Sequence, residues 1–209
     1  RLDKSKYTPI LFLIKNEGVY WDHIPENIEV ITAIDSGKKI GRNIFPILNK
    51  LLLTAKKMDL IIGSLELSPT YFAVIVGLLL KKPVIGWVHT VLDYPPATNL
   101  IHRMLIKLLY PRLKNIIAVS KGASKSLERI LPRHKNKIVT IYNLAPIDEV
   151  NQESNIDRRI LSDYQYPVVL GMGRLIPEKE FDVLIRAHKI LIEKGIKHKL
   201  VILGEGRER

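Results

Sequence analysis

Two cations, Arg174 and Lys179, stand five residues apart in a turn that follows a predicted strand and opens a predicted helix. Gly171 and Gly173 make this turn tight, and the free amides of a helix N-terminus attract phosphate. A unit charge at 4 Å contributes about 4 kcal/mol at an effective dielectric constant near 20. The pair could therefore stabilise a diphosphate that leaves with negative charge. The alternative is an ion pair between Arg174 and Glu178, with Lys179 solvated.

Polar residues also follow the other predicted strands. Ligands of open parallel sheets bind beyond the carboxyl ends of the strands. Candidates at such ends are Glu66, His89, Ser120, Asn143, Gly173 and the turn Gly204-Glu205-Gly206. Of the six histidines only His89 ends a buried strand, although a purely structural role is the alternative.

Short apolar runs alternate with amphipathic segments along most of the chain. Predicted strands cover residues 9–14, 28–34, 60–62, 83–88, 115–119 and 137–142, and predicted helices cover 44–57, 70–80, 99–110 and 121–131. This alternation predicts an α/β fold with a parallel sheet covered by helices on both faces.

A polar stretch interrupts this pattern and suggests a domain boundary. We predict a Rossmann-like domain over residues 1–143, a linker with a short helix near 156–162 over residues 144–166, and a second domain over 167–209. The second domain contains a predicted strand at 168–172, a helix at 178–194 and a strand at 199–203. So short a β-α-β unit cannot cover both faces of a sheet, so we expect this domain to be truncated.

The charge of the chain is strongly positive, with 33 Lys and Arg against 21 Asp and Glu. Residues 101–140 carry ten cations and Glu128 as the single acid: Arg103, Lys107, Arg112, Lys114, Lys121, Lys125, Arg129, Arg133, Lys135 and Lys137. Such a stretch attracts nucleic acid, anionic lipid or phosphorylated substrates, and a solvated surface is the alternative. Aromatic residues for base stacking are scarce nearby, so we expect no nucleic-acid partner.

Several classes of protein are excluded or disfavoured. With no cysteine there is no disulfide, thiolate metal site or cysteine nucleophile. The longest apolar run, Tyr71 to Leu80, has half the length of a membrane-spanning helix. Ile176 and Arg209 stand where a dinucleotide-binding G-x-G-x-x-G motif would need its third glycine. No histidine and carboxylate cluster has ligand spacing, so no metal is expected.

The segment from Gly173 to Ala187, followed by Leu200 to Gly206, resembles the start of the nucleotide-binding domain of family 4 glycosyltransferases. These are retaining sugar transferases with the two-domain GT-B fold. Upstream similarities lie in Val88-His89-Thr90, in Ile117 to Lys121, and in Ile141-Tyr142-Asn143 with Ile147-Asp148 after it. In order and spacing the similarities extend from about residue 60 to residue 206.

The resemblance implies a GT-B-like pair of Rossmann-type domains, the second cut short. The implied reaction moves a hexose from a nucleotide-sugar donor to a glycan or lipid-linked acceptor, in cell-surface polysaccharide or glycolipid synthesis. Arg174 and Lys179 would hold the donor diphosphate, and Gly204, Glu205 and Gly206 would lie beside the nucleotide. His89 would be the catalytic residue near the donor sugar. No cofactor or metal is implied, because GT-B enzymes neutralise the leaving group with protein cations.

Two other functions compete: a GT-B-fold nucleotide-sugar epimerase and a basic nucleic-acid-binding module. The chain also departs from the family at two positions. Glu180 stands where glycine is usual, and Leu144 stands where glycine or proline is usual. The family's paired glutamates would lie beyond Arg209, and its first glycine-rich turn would lie before Arg1. We therefore expect the 209-residue chain alone to be inactive. The expected location is cytoplasmic, peripheral on the inner membrane face through residues 101–140.

Overall fold

The computed structural model describes residues 3, 5–18, 20–93, 99–144 and 165–209. The chain divides into two compact units, Arg1–Leu144 and Ala145–Arg209. Most of the predicted linker, including its short helix near 156–162, lies outside the described residues. No helix among the described residues combines the length and the apolar character that a bilayer span requires.

Strands and helices alternate in the first unit. The strands are β1 (Ile10–Lys15), β2 (Glu29–Ile34), β3 (Ile61–Gly63), β4 (Val84–Val88), β5 (Asn115–Ala118) and β6 (Ile138–Thr140). The helices are α1 (Ile44–Ala55), α2 (Ser68–Leu80), α3 (Leu100–Leu109) and α4 (Lys121–Ile130). Local chemistry starts two of these helices, because Asn99 caps α3 and Ser120 caps α4 by accepting hydrogen bonds from first-turn amides.

All strand pairings in this unit are parallel, which confirms the predicted fold class. β1 pairs with β2, while β3, β4, β5 and β6 form one sheet in chain order. Helix α2 packs on β3 and β4, and α4 packs on β5 and β6. Small residues permit the close approach of α2, since a Cβ added at Gly63 would lie 2.7 Å from Thr70 Oγ1. The main core therefore lies between these helices and one face of the sheet.

The opposite face of the four-stranded sheet is also apolar but is poorly covered. It carries Ile62, Ile85, Trp87, Ile117 and Val139, of which the first and last are exposed and the others half-buried. The prediction of a sheet covered on both faces is therefore wrong for this side of the described structure. The reason is that α2 and α4, which pack on these strands, both belong to the other face.

An apolar cleft of about 380 Å³ lies between β1 and β3. Residues of both strands line it together with residues of α1, α2 and Trp87, and none of the lining residues is charged. Among the described strands β1 pairs only with β2, and β3 only with β4. Each of the two strands at the cleft therefore has one edge without a backbone partner.

The second unit contains β7 (Val168–Met172), α5 (Phe181–Glu193) and β8 (Lys199–Leu203), and the two strands are parallel. The predicted helix start at residue 178 is wrong. A single 3₁₀ turn covers Pro177–Lys179, and α5 begins only after Glu180. Glu180 has φ +50°, a left-handed conformation that cannot lie inside a right-handed helix.

Candidate active site

The carboxyl ends of β3 to β6 bring four predicted residues to the same edge of the sheet. Glu66 follows β3, His89 follows β4, Ser120 follows β5 and Asn143 follows β6. Because β3 and β4 are paired neighbours, the loops that carry Glu66 and His89 are adjacent.

Glu66 clamps the loop after β4. One carboxylate oxygen accepts a hydrogen bond from the backbone amide of His89 at 3.0 Å, and the other accepts from Thr90 Oγ1 at 3.0 Å. Glu66 is half-buried, whereas His89 and Thr90 are exposed. Glu66, which the sequence suggested as a ligand-binding residue, thus positions the loop that carries His89.

The imidazole of His89 is held on two sides. Its Nε2 lies 3.1 Å from the carbonyl oxygen of Ser64, and a carbonyl only accepts, so Nε2 carries the proton. The ring stacks on Trp87, with 5.8 Å between the ring centroids and 21° between the planes. In the neutral ring this leaves Nδ1 as the acceptor.

A second anchor holds the same loop further along the chain. The buried hydroxyl of Ser126 on α4 accepts hydrogen bonds from the amides of Leu92 and Asp93 at 2.8 and 2.9 Å. Arg129, also on α4, pairs with the Asp93 carboxylate. Hydrogen bonds from Arg129 and then Ser126 lower the pKa of Asp93 to about 2. Sequence reasoning missed this anchor, and the available signal was a serine among the buried apolar residues of α4.

Ser120 and Asn143 do not join this group. The Ser120 hydroxyl caps α4 by accepting from the amide of Ala123 at 3.1 Å. Asn143 is exposed beyond the end of β6, the strand farthest from β3 in the sheet. Within the described residues, Glu66 therefore hydrogen-bonds to the loop that carries His89, whereas the Ser120 hydroxyl, in the loop after the neighbouring strand β5, is engaged in capping α4.

In the second unit, backbone hydrogen bonds join the two predicted glycine turns. The amide of Gly173 donates to the Leu203 carbonyl at 3.0 Å, and the amide of Leu175 donates to the Glu205 carbonyl at 2.8 Å. The turns come so close that a Cβ at Gly204 would lie 1.8 Å from the carbonyl oxygen of Gly173. A Cβ at Gly206 would lie 2.1 Å from the Leu175 carbonyl oxygen, so glycine is required at both positions by space.

Arg174 and Lys179 lie on this paired turn with their side chains exposed. The Lys179 side chain folds back over the turn, as its Cδ lies 3.8 Å from the position that a Cβ at Gly173 would occupy. Among the described ion pairs neither cation takes part, so the alternative pairing of Arg174 with Glu178 is not observed. Glu205 instead accepts from Arg209 with both oxygens, at 2.8 and 3.0 Å. Among the residues that the structure describes, two exposed cations without an ion pair thus stand on a turn held by backbone hydrogen bonds, an arrangement suited to an anionic group.

Comparison with protein families identifies the family to which the chain belongs. The model of Glycosyltransferase Family 4 matches residues 11–149, about two thirds of the chain. The chain therefore belongs to glycosyltransferase family 4, which confirms the resemblance found in the sequence.

Two curated relatives and one solved structure extend this comparison. The chain is 32% identical over 108 residues to a transferase of Campylobacter jejuni named N-acetylgalactosamine-N,N'-diacetylbacillosaminyl-diphospho-undecaprenol 4-alpha-N-acetylgalactosaminyltransferase. It is 31% identical over 103 residues to an uncharacterized glycosyltransferase of Methanocaldococcus jannaschii. These matches cover 52% and 48% of this chain, and 28% and 25% of the relatives. The matched part of the chain thus spans about a quarter of the length of each relative.

The structure of Anabaena HepE in complex with UDP and glucose superposes with a TM-score of 0.63 at 17% identity. The match covers 94% of this chain and 61% of HepE. At this identity the likeness concerns the fold, which is the parallel α/β architecture of GT-B glycosyltransferases.

Proposed function

We propose that the protein to which these residues belong transfers a sugar from a nucleotide-sugar donor to a glycan or lipid-linked acceptor, with retention at the anomeric carbon. The second unit would bind the donor diphosphate and the first would present the acceptor. Cell-surface polysaccharide or glycolipid synthesis fits the name of the Campylobacter relative, which specifies a diphospho-undecaprenol acceptor. The observation that carries the proposal is that Arg174 and Lys179 stand exposed on the joined glycine turns, with no ion pair among the described residues.

The role of Arg174 and Lys179 follows from the chemistry of the leaving group. A nucleoside diphosphate gains negative charge as the glycosidic bond breaks, so cations beside it stabilise the transition state more than the bound donor. The turn that carries them is fixed to β8 by the Gly173–Leu203 and Leu175–Glu205 hydrogen bonds. The backbone that carries the two cations is therefore held in place, while their exposed side chains extend from it.

His89 is proposed to bind or polarise the donor sugar or the acceptor. Its Nε2–H is occupied by the Ser64 carbonyl, so Nδ1 is the nitrogen that would meet a substrate hydroxyl. Glu66 would act on the reaction only by positioning the loop that carries His89.

We also propose that residues 1–143 form an incomplete acceptor-side Rossmann-like domain whose first β-α unit precedes Arg1. The cleft between β1 and β3 supports this proposal, since its uncharged lining suits a buried strand better than a sugar or a phosphate. Amide exchange of Leu11 and Ile62 would test it. Both amides should be more protected in a longer form with the upstream segment than in residues 1–209 alone, and equal protection would contradict the proposal.

The transferase proposal is tested by adding UDP, and in parallel GDP, to the isotope-labelled chain and following amide resonances. We expect shifts at residues 173–179 and 204–206 because the diphosphate lies against these turns. Hydrogen bonds to charged groups contribute about 1.5–3 kcal/mol, so Arg174→Ala and Lys179→Ala should each weaken binding by at least about tenfold. In the longer enzyme, each should lower turnover by at least roughly ten- to a hundredfold.

Lys189→Ala is the matched control, since Lys189 is an exposed cation on α5 beyond its first turn. It should leave both affinity and turnover unchanged. Binding with resonance shifts elsewhere, or equal affinities for all three variants, would place the diphosphate site outside this turn.

A further inference from the structure

Helix α3 displays an apolar stripe that nothing in the described structure covers. The stripe consists of four large side chains with exposed fractions of 55–74%: Leu100, Ile101, Met104 and Leu108. Three of them are spaced four residues apart and so lie above one another along one side of the helix. Ile101 extends the stripe around the helix.

The stripe belongs to a firmly packed helix. The opposite side of α3 buries Ile106 and Leu109 in the core. The ring of His102 stacks on Tyr71 with 5.9 Å between centroids, and Asn99 caps the helix. The outward direction of the stripe is therefore a fixed property of the fold.

Positive charge borders this apolar surface. Arg103 and Lys107 are exposed one turn apart, each three residues after a stripe residue, and Arg112 and Lys114 are exposed beyond the end of α3. The sequence contains no Asp or Glu between Asp93 and Glu128. An apolar helix side flanked by cations is the pattern of helices that lie in the interface of an anionic bilayer.

We propose that α3 is a membrane-docking helix whose stripe inserts among the acyl chains of an anionic bilayer while Arg103 and Lys107 contact lipid headgroups. This proposal rests on the proposed transfer of a sugar to a lipid-linked acceptor, and it specifies which surface of the first unit faces the membrane. The occupant is a bilayer, because the bordering cations and the absence of nearby acids match anionic headgroups. A second copy of the chain would bring like charges together.

The experiment measures binding of the 209-residue chain to vesicles of phosphatidylglycerol and phosphatidylcholine in equal parts, and to pure phosphatidylcholine vesicles. We expect the anionic vesicles to bind more protein. The double variant Met104→Glu/Leu108→Glu should reduce partitioning by at least about tenfold, because charged groups resist insertion. Arg103→Gln and Lys107→Gln should each reduce it about fivefold on anionic vesicles only, from about 1 kcal/mol per cation.

Leu79→Glu is the matched control, since Leu79 on α2 is 69% exposed, which lies within the range of the stripe residues. It should bind as the unchanged chain does. Where the double variant fails to fold, Met104→Trp decides: brominated acyl chains should quench a larger share of its fluorescence than of that of the unchanged chain, whose tryptophans are Trp21 and Trp87. Each readout is independent of donor and acceptor, so it separates docking from transferase activity.

Three results would overturn the proposal. Salt-sensitive binding that survives Met104→Glu/Leu108→Glu would assign membrane contact to the basic residues without the stripe. Equal recovery with both kinds of vesicle would remove the role of charge. A concentration-dependent dimer that the double variant abolishes would make a second copy the partner of the stripe.

Discussion

Removal of the Glu66 carboxylate should loosen the loop that carries His89. Glu66→Ala deletes two charge-assisted hydrogen bonds, to the His89 amide and to Thr90 Oγ1, both 3.0 Å long. Buried bonds of this kind contribute about 1.5–3 kcal/mol each. Because both donors are exposed and regain water, we expect about 2 kcal/mol for the two together. In a domain of this size that corresponds to a fall in Tm of about 4–8 °C.

Two further substitutions apportion this loss. Glu66→Gln keeps one carbonyl acceptor and should cost about 1 kcal/mol. Thr90→Ala alone should destabilise the protein. Combined with Glu66→Ala it should add almost no further loss of stability, because the hydrogen bond that it removes is already gone. Calorimetry gives the stabilities, and hydrogen exchange at the His89 amide reports directly on the lost bond.

Glu26→Ala provides the control, since Glu26 is an exposed glutamate of the same unit. The reasoning fails if Glu66→Ala melts within 1 °C of this control, a quarter of the smallest expected shift of about 4 °C, and leaves exchange at the His89 amide unchanged. In that event the carboxylate would not hold the loop, and its proposed positioning role would be lost.

Two other predictions concern charge and close packing. The pKa of Asp93 is about 2 when folded and about 3.9 when unfolded, so its stabilisation exists above pH 4 and is lost as the pH falls towards 2. Asp93→Asn should therefore lower Tm at pH 6, and the difference from the unchanged chain should vanish near pH 2; a constant difference would contradict this. Gly204→Ala should destabilise the second unit by at least about 2 kcal/mol, because its Cβ would lie 1.8 Å from the Gly173 carbonyl oxygen. Gly173→Ala meets nothing closer than 3.5 Å and should be tolerated, so equal denaturant midpoints for the two variants would refute the packing argument.

The strands and helices of this protein are predictable from local patterns, because apolar runs of the right length and period are bounded by glycine, proline and capping residues. Ser120 illustrates this, since a serine directly before a helix is a common cap and its hydroxyl accepts a hydrogen bond from the Ala123 amide. The start of α5 was predicted wrongly because glutamate gives no sign of the left-handed conformation found at Glu180. The family's usual glycine at this position was the available hint.

Interactions between distant residues could not be predicted in the same way. Glu66 was identified as a candidate in the sequence, but its bonds to residues 23 and 24 positions away depend on how β3 and β4 pair. The uncovered sheet face is a similar case. Alternate positions such as Ile85 and Ile117 are apolar, which predicts burial, whereas the elements that would bury them are not among those packed on these strands.

The order of the four-stranded sheet has a consequence for how the chain is made. Strands β3, β4, β5 and β6 pair in the order of synthesis, and the paired residues Ile61 and Val84, Ile85 and Asn115, and Ile116 and Ile138 are 22 to 30 positions apart. At about 5–20 residues per second, a ribosome delivers each new strand about 1–6 seconds after its partner. Closing such short loops costs comparatively little entropy. The sheet can therefore lengthen strand by strand during translation, and a ribosome paused after β5 would already carry three of its four strands.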